Sequence, residues 1–185
     1  MKELFEAARA GDLARVQALV DADPTLAIFA AAILGDTQRL EELLTGNRSL
    51  VSAVSTDGWT PLHLAAFFGK GDAARLLLNK GATVTARSTN PMENTPLHAA
   101  AAGKHAEMVK LLLDRGANAN ARQNGGWAPL HSAAQNGDLE SARALIEAGA
   151  DVSARADNNQ KPLDLALTKA QQAMVEFLEA NGAQL

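Results

Sequence analysis

A proline-centred phrase recurs along this chain at a nearly constant spacing. It reads Thr60-Pro61-Leu62-His63, returns as Thr95-Pro96-Leu97-His98 and Ala128-Pro129-Leu130-His131, and has an altered copy in Lys161-Pro162-Leu163-Asp164. The prolines at 61, 96, 129 and 162 are 35, 33 and 33 residues apart. A fixed period of this size indicates a repeat architecture, in which each unit is one small motif stacked on its neighbours.

Each copy of the phrase has the features of a helix start. Thr60 can act as the N-cap, because its hydroxyl can accept a hydrogen bond from an unpaired amide of the first turn. Pro61 suits the first helical position, where its missing N–H costs nothing. His63 lies three residues after the cap, where a side chain can reach back to the backbone of the cap. An alanine pair follows, so the phrase predicts a short first helix with little side-chain bulk.

A second, bulkier apolar segment begins about ten residues after the first and is leucine-rich, as in residues 76–78 and 111–113. It ends at a Gly-Ala pair such as Gly81-Ala82, and glycine suits the left-handed residue that closes a helix. A short β-prone finger then leads to the next phrase. One unit is therefore two helices and a finger, and units must stack because none can bury its apolar face alone.

These motifs resemble the ankyrin repeat. Residues 58–66 (Gly-Trp-Thr-Pro-Leu-His-Leu-Ala-Ala) and residues 111–121 are close to its consensus, and the resemblance covers essentially the whole chain. It implies an all-α solenoid of helix-turn-helix units with β-hairpin fingers. It also implies a concave face that binds other proteins without catalysis.

The repeats predict one array over residues 1–185, with four inner repeats between two capping repeats. The six units are residues 1–23, 24–52, 53–87, 88–122, 123–155 and 156–185. Unit two departs most from the pattern, and we expect an irregular loop at 45–55. Alanine on the first helices and leucine on the second should bend the array toward the first helices. At roughly 10 Å per packed helix layer, six units give a groove on the order of 50 Å long.

Composition narrows the choice of partner and compartment. The net charge of −4 argues against nucleic acid or an anionic membrane as the main partner. There are no cysteines, which excludes disulfides and thiol catalysis. The first eight residues are amphipathic and acidic, unlike a secretory leader, and the longest apolar stretch, 26–34, is too short to span a bilayer. We therefore expect a soluble cytoplasmic protein, and we separately predict that it is a monomer.

No residue pattern indicates an enzyme, a metal site or a cofactor. His63, His98 and His131 occupy one repeat position and cannot converge on a metal, so we interpret them as structural, bonded to the cap and a neighbouring backbone. No serine or carboxylate pair lies in a nucleophile context. We predict no catalytic residue, no metal and no cofactor.

Binding residues are expected where the repeat pattern leaves side chains facing the groove. The four aromatic residues Trp59, Phe67, Phe68 and Trp127 are concentrated there and suggest an interaction hot spot. Alternatively, the tryptophans stiffen the fingers and the phenylalanines pack on a neighbouring helix. Arg87, Arg122 and Arg155 share one position and form a basic row that an acidic peptide could use. Alternatively, these arginines are exposed beside weak neighbours such as Asp57 and Asp157.

The predicted partner-binding set on the concave face joins these residues to a polar rim. It comprises Trp59, Phe67, Phe68, Arg87, Met92, Asn94, Arg122, Asn124, Trp127, Gln135, Asn136, Arg155 and Gln160. The predicted function is a non-catalytic module that binds a protein or peptide. The alternative is a scaffold or an engineered ankyrin array with no natural partner.

Overall fold

The computed structural model of the chain describes residues 1–184, which form twelve α-helices and two short 3-10 helices, with no β-strand in that range. The α-helices are α1 Lys2–Arg9, α2 Leu13–Ala22, α3 Ala27–Leu34, α4 Thr37–Gly46, α5 Pro61–Phe67, α6 Gly71–Asn79, α7 Pro96–Gly103, α8 Ala106–Asp114, α9 Pro129–Asn136, α10 Leu139–Glu147, α11 Pro162–Thr168 and α12 Gln172–Ala180. The 3-10 helices are Pro24–Leu26 and Arg48–Ser52. Of the helices described here, none has the length and apolar character needed to cross a membrane.

The helices form two layers. The first helices of successive pairs (α1, α3, α5, α7, α9 and α11) pack on one another in chain order. The second helices α4, α6, α8, α10 and α12 pack in the same order behind them, while α2 packs on α1 and α3. The described chain is therefore an all-helical stack of consecutive helix pairs, as the repeat pattern predicts.

Side-chain size differs between the layers in the predicted direction. Ala65 and Ala66 of α5 are fully buried, as are the alanine pairs at the same position of α7 and α9. Leu77 and Leu112 of the second helices are also fully buried. Small side chains let the first helices approach closely, whereas leucine fills the wider space between the layers. One continuous apolar core results.

Each helix pair turns through one residue with left-handed backbone geometry. These residues are Gly11, Gly35, Gly69, Lys104, Gly137 and Ala170. Lys104 and Ala170 adopt this conformation with φ values of 61° and 53°, although it costs an L-residue about 1 kcal/mol. The stacked neighbours therefore impose the turn even where glycine is missing.

The fingers are turns, so the predicted β-hairpins are not confirmed. The four finger turns are residues 55–59, 88–94, 123–127 and 156–160. In each, the first residue donates its backbone N–H to the carbonyl of the last, for example Ser55 to Trp59 at 2.9 Å and Ser88 to Asn94 at 2.8 Å. A strand ladder requires several successive pairs. Here the chain enters the next first helix directly after the turn, which leaves no length for a ladder.

The loop predicted to be irregular is instead a short helix. Residues Arg48–Ser52 form a 3-10 helix, and the Asn47 side chain accepts a hydrogen bond from the backbone N–H of Ser49 at 3.1 Å. The Asn47 side chain thus caps this helix locally, and a comparison of this unit with the repeat consensus does not predict such a cap.

Successive finger turns are joined by backbone hydrogen bonds. Thr89 donates to the carbonyl of Gly58 at 2.9 Å, and the same link joins the later turns. The contact is so close that a Cβ added at Gly58 would collide with the backbone nitrogen of Asn90. By contrast, within residues 1–184 the only hydrogen bond between units that involves α1–α4 is the ion pair of Lys80 with Glu41. The N-terminal pairs are therefore held mainly by apolar packing.

We predict that amide hydrogens of α1–α4 exchange faster than those of α5–α10. The N-terminal pairs lack the finger-to-finger bonds, so their local opening costs less free energy. Hydrogen–deuterium exchange followed by mass spectrometry of peptides from each helix measures this directly. Equal protection along the whole array would contradict the prediction.

Candidate functional site

Three buried histidines join the first helices α5, α7 and α9 to the finger turn of the next unit. The Nε2 atoms of His63 and His98 lie 3.0 Å from the carbonyl oxygens of Asn94 and Trp127, and that of His131 lies 3.2 Å from the Gln160 carbonyl. A carbonyl only accepts, so each Nε2 carries the proton and donates. Each ring therefore spans two neighbouring units.

The other ring nitrogen completes the helix cap. Nδ1 of His63 accepts from the backbone N–H and the hydroxyl of Thr60 at 3.3 and 2.8 Å, and His98 uses Thr95 in the same way. Ala128 has no hydroxyl, so His131 accepts only from its N–H at 3.1 Å. The structural interpretation of these histidines is confirmed.

Burial keeps these rings neutral. It lowers the pKa of His63 and of His98 from the ordinary value of 6.5 to about 4, against the opposing effect of their backbone hydrogen bonds. It also lowers the pKa of His131. Among residues 1–184 no group of three or more histidine or acidic side chains is placed to hold a metal ion.

Arg87 and Arg122 of the arginine row donate to backbone carbonyls, and Arg87 also forms an exposed ion pair with Glu93 at 3.8 Å. Arg87 donates through Nη2 to the carbonyl of Arg122 at 2.9 Å and through Nη1 to the carbonyl of Glu93 at 3.1 Å. Arg122 repeats the pattern, donating to the carbonyls of Gly126 and Arg155. Arg87 and Arg122 thus each brace the finger turn that follows them and reach the residue before the next turn, whereas Arg155 donates only to Asn159 of the turn that follows it. Neither predicted alternative described these carbonyl acceptors, although all three side chains remain exposed.

Four aromatic rings form one cluster between the first and third units. Phe5 of α1 lies 4.8 Å from Phe68, 5.3 Å from Phe67 and 6.1 Å from Trp59, measured between ring centroids. The pair of Trp59 and Phe67 is 5.5 Å apart in an edge-to-face arrangement. These distances are typical of stabilising aromatic pairs. The phenylalanines therefore pack on a helix of another unit, although all four rings keep some exposed surface.

An open groove of about 560 Å³ lies beside this cluster. Its apolar lining comes from Met1, Phe5, Trp59 and Leu64, and its polar lining from Lys2, Glu6, Arg9, Ser55, Asp57 and Asn90. Lys2 and Glu6 form an exposed ion pair at 4.0 Å. Arg9 and Asp57 have no ion-pair partner within residues 1–184. The groove thus combines an apolar floor with charged groups of both signs.

The remaining predicted residues differ in exposure. Met92, on the second finger turn, is 52% exposed, whereas Asn94 is only 4% exposed and offers its carbonyl to His63. Asn124 is exposed and donates from its side chain to the carbonyl of Pro91 at 2.8 Å. The structure therefore removes the Asn94 side chain from the exposed face.

On the C-terminal units the predicted residues are half-buried. Trp127 packs its ring 5.6 Å from that of His131. Asn136 donates to the carbonyl of Ala101 at 3.3 Å, which ties α9 to α7. Gln135 and Gln160 keep partly exposed side chains. The structure brings Trp59, Phe67 and Phe68 together, but Trp127 lies outside their cluster.

Sequence reasoning missed the contribution of α1 to this site. Phe5, Lys2, Glu6 and Arg9 line the groove, with Asp57 on the first finger turn. One signal was available, because Phe5 lies six residues before the left-handed turn residue Gly11. His63 has the same spacing from Gly69, so both side chains occupy the position that points toward another unit.

Comparison with known proteins agrees with this architecture. A family model described as ankyrin repeats in three copies matches residues 4–88 and 84–156. The Ankyrin repeat and SAM domain-containing protein 6 of Rattus norvegicus is 34% identical over 98 residues. The match covers 48% of this chain and 11% of that protein, so the chain spans only a small part of its relative's length.

We predict that acid destabilises the fold through the buried histidines. The unfolded chain binds protons with a pKa near 6.5, whereas folded His63 and His98 bind them only near pH 4. The stability that these two neutral histidines contribute is therefore fully present above pH 6.5 and is lost as the pH drops toward 4. The difference between the two pKa values corresponds to on the order of 3 kcal/mol for each ring. Urea titrations of His98→Ala across this range should show a shallower pH dependence than the parent chain. An unchanged slope in His98→Ala would refute the assignment.

We predict that Arg122→Met lowers the free energy of unfolding by about 1 to 2 kcal/mol, because two carbonyls lose their donor while the apolar stem remains. Chemical denaturation measures the loss. Arg75→Met, at an exposed position of α6, is the matched control. If both variants lose the same stability, the carbonyl contacts contribute nothing.

Proposed function

Because this chain belongs to the ankyrin-repeat family, we propose that it is a non-catalytic module that binds another protein or a peptide. Ankyrin repeats generally mediate interactions between proteins, and stacked repeats present extended binding surfaces. We place the site on the face formed by the first helices and the finger turns, which we take to be the concave side. The groove between α1 and the first finger turn is the observation that supports this placement.

The groove has the composition of a protein-binding site. Phe5 and Trp59 offer rigid aromatic surface, and aromatic residues are enriched among those that dominate binding energy. Arg9 and Asp57 lie at its edge without an ion-pair partner in residues 1–184, so a partner can pair with both signs of charge. An apolar centre with a charged rim is the usual anatomy of an interface.

The predicted site residues enter this proposal in two roles. Trp59, Phe67, Phe68, Met92, Trp127, Gln135 and Gln160 offer partly or fully exposed side chains. Arg87, Arg122, Asn124, Asn136 and Arg155 offer exposed or half-buried groups that also hold the fingers or first helices in place. We add Lys2, Phe5, Glu6, Arg9 and Asp57, and retain Asn94 only for its backbone.

The proposal includes the organisation of the whole chain. We take residues 1–185 as one array with the unit bounds given above, four inner repeats between two caps. It acts as a monomer in the cytoplasm, without a cofactor. The net charge of −4 favours protein over nucleic acid as the partner.

We predict that a photo-crosslinking amino acid at position 57 captures a partner from a cell lysate, whereas one at position 75 does not. Asp57 lies at the groove, and Arg75 is exposed on second helix α6. Mass spectrometry of the crosslinked peptides identifies the partner and the contacted segment. Capture at position 75 alone would place the site on the opposite face.

A charge-reversal pair tests the same site without disturbing the aromatic cluster. In Arg9→Glu combined with Asp57→Lys, we expect the captured partner to bind at least about tenfold more weakly, as expected when complementary charges become repulsive. The matched control reverses Arg75 and Glu140 on the second helices and should bind normally. Far-UV circular dichroism should be the same in all three proteins. Unchanged affinity in the groove variant would exclude this groove.

A further inference from the structure

The chain contains three Asn-Gly pairs, at residues 124–125, 136–137 and 181–182. In such a pair the glycine has no side chain to hinder approach of its backbone nitrogen to the carbonyl carbon of the asparagine side chain. That approach starts the loss of ammonia from asparagine. The surrounding structure decides which glycine nitrogen is able to make it.

Two of the three pairs lie at helix ends, where the glycine nitrogen is held. The backbone N–H of Gly137 donates to the carbonyl of Ala134 at 3.2 Å, at the end of α9. That of Gly182 donates to the carbonyl of Glu179 at 2.9 Å, at the end of α12. Attack by either nitrogen requires the helix end to open first, and opening costs free energy.

Gly125 is different, because its N–H donates to no backbone carbonyl within residues 1–184 and instead to Oδ1 of Asn124 at 3.0 Å. The side-chain carbonyl of Asn124 therefore already lies against the nitrogen that must attack it. Both residues are exposed, at the tip of the third finger turn.

The turn itself permits the required motion. Gly126 donates to the carbonyl of Gln123 at 3.0 Å, and Gly125 has a φ of 83°, as expected at the third position of a type II turn. Type II and type I turns differ mainly by a flip of the central peptide bond, which here joins Asn124 to Gly125. Glycine accepts both states, so this peptide can rotate without unfolding a helix.

We propose that Asn124 is a deamidation site selected by the finger turn. The Gly125 nitrogen gives up its proton to solvent and forms a bond to Cγ of Asn124. The bond from Cγ to Nδ2 breaks, ammonia leaves with a proton from solvent, and a five-membered succinimide remains. Water then opens either carbonyl of the ring, which leaves aspartate or isoaspartate at position 124.

The modification removes a hydrogen bond between the second and third finger turns. Asn124 donates from its backbone N–H to the carbonyl of Met92 and from Nδ2 to the carbonyl of Pro91, both at 2.8 Å. A carboxylate has no proton for Pro91, and its charge faces an oxygen. Isoaspartate also lengthens the backbone of the turn. Deamidation therefore loosens the second finger turn from the third and adds a negative charge to this edge, whether or not that edge binds a partner.

The test is incubation of the intact folded chain in mildly alkaline buffer, followed by peptide mapping with mass spectrometry. A gain of about one dalton marks each modified asparagine. We expect Asn124 to react roughly tenfold faster than Asn136 or Asn181, since only its glycine is free of a helix end. Equal rates, or a faster reaction at either of the other two sites, would overturn the proposal.

Two controls separate the role of the structure from that of the dipeptide. In denaturant the three rates should converge, because each pair then has only its local sequence. A preference for Asn124 that persists in the unfolded chain would show that the turn does not select it. In the folded Asn124→Gln variant the gain at position 124 should disappear. A gain that remained there would assign the signal to another residue.

In the modified fraction, amides of residues 88–94 should exchange faster, and unchanged exchange would refute the loss of the hydrogen bond between the two finger turns.

Discussion

The link from each first-helix histidine to the finger turn of the following unit sets the spacing of the stack from α5 onward. The ring of His63 accepts from its own helix cap through Nδ1 and donates to the Asn94 carbonyl through Nε2, so one side chain fixes both the helix start and the neighbour. That carbonyl is buried, and an unpaired buried carbonyl is costly. The ring can fill both roles only when it is neutral, and burial in the stack keeps it neutral.

In the first two units a phenylalanine takes the place of this polar link. The residue six positions before the turn is Phe5 in the first unit and Phe29 in the second, where the later units have histidine or Asp164. A phenylalanine ring has no N–H to donate to a carbonyl. For Phe5, in addition, no finger turn precedes the second unit to supply a carbonyl acceptor. Phe5 instead packs on Phe67, Phe68 and Trp59 of the third unit. The same substitution therefore explains both the sparse polar contacts of the N-terminal pairs and the apolar floor of the groove.

What the sequence predicts correctly is local and periodic. The helix pairs, the cap at Thr60 and the bond from His63 back to that cap follow from short motifs whose physics needs only nearby residues. The arginine contacts do not, because Arg87 donates to a carbonyl 35 residues away, and a backbone acceptor leaves no mark in the sequence. The cluster around Phe5 joins residues of the first and third units, which repeat alignment treats as separate. The family resemblance implies hairpin fingers, but the length of each finger is set by the helix that starts directly after it.

The arginine contacts also constrain how the finger edge can recognise a partner. A free surface arginine loses side-chain entropy when it pairs, which reduces what an exposed ion pair contributes. Arg87 and Arg122 are each already oriented by one carbonyl within a finger turn and one directly before the next turn, so part of that loss has occurred on folding. Asp57 lies on the first finger turn and Asp157 on the fourth. The edge is therefore a series of charges held in place by the backbone, and under the proposed function a partner must match its own charges to those fixed positions.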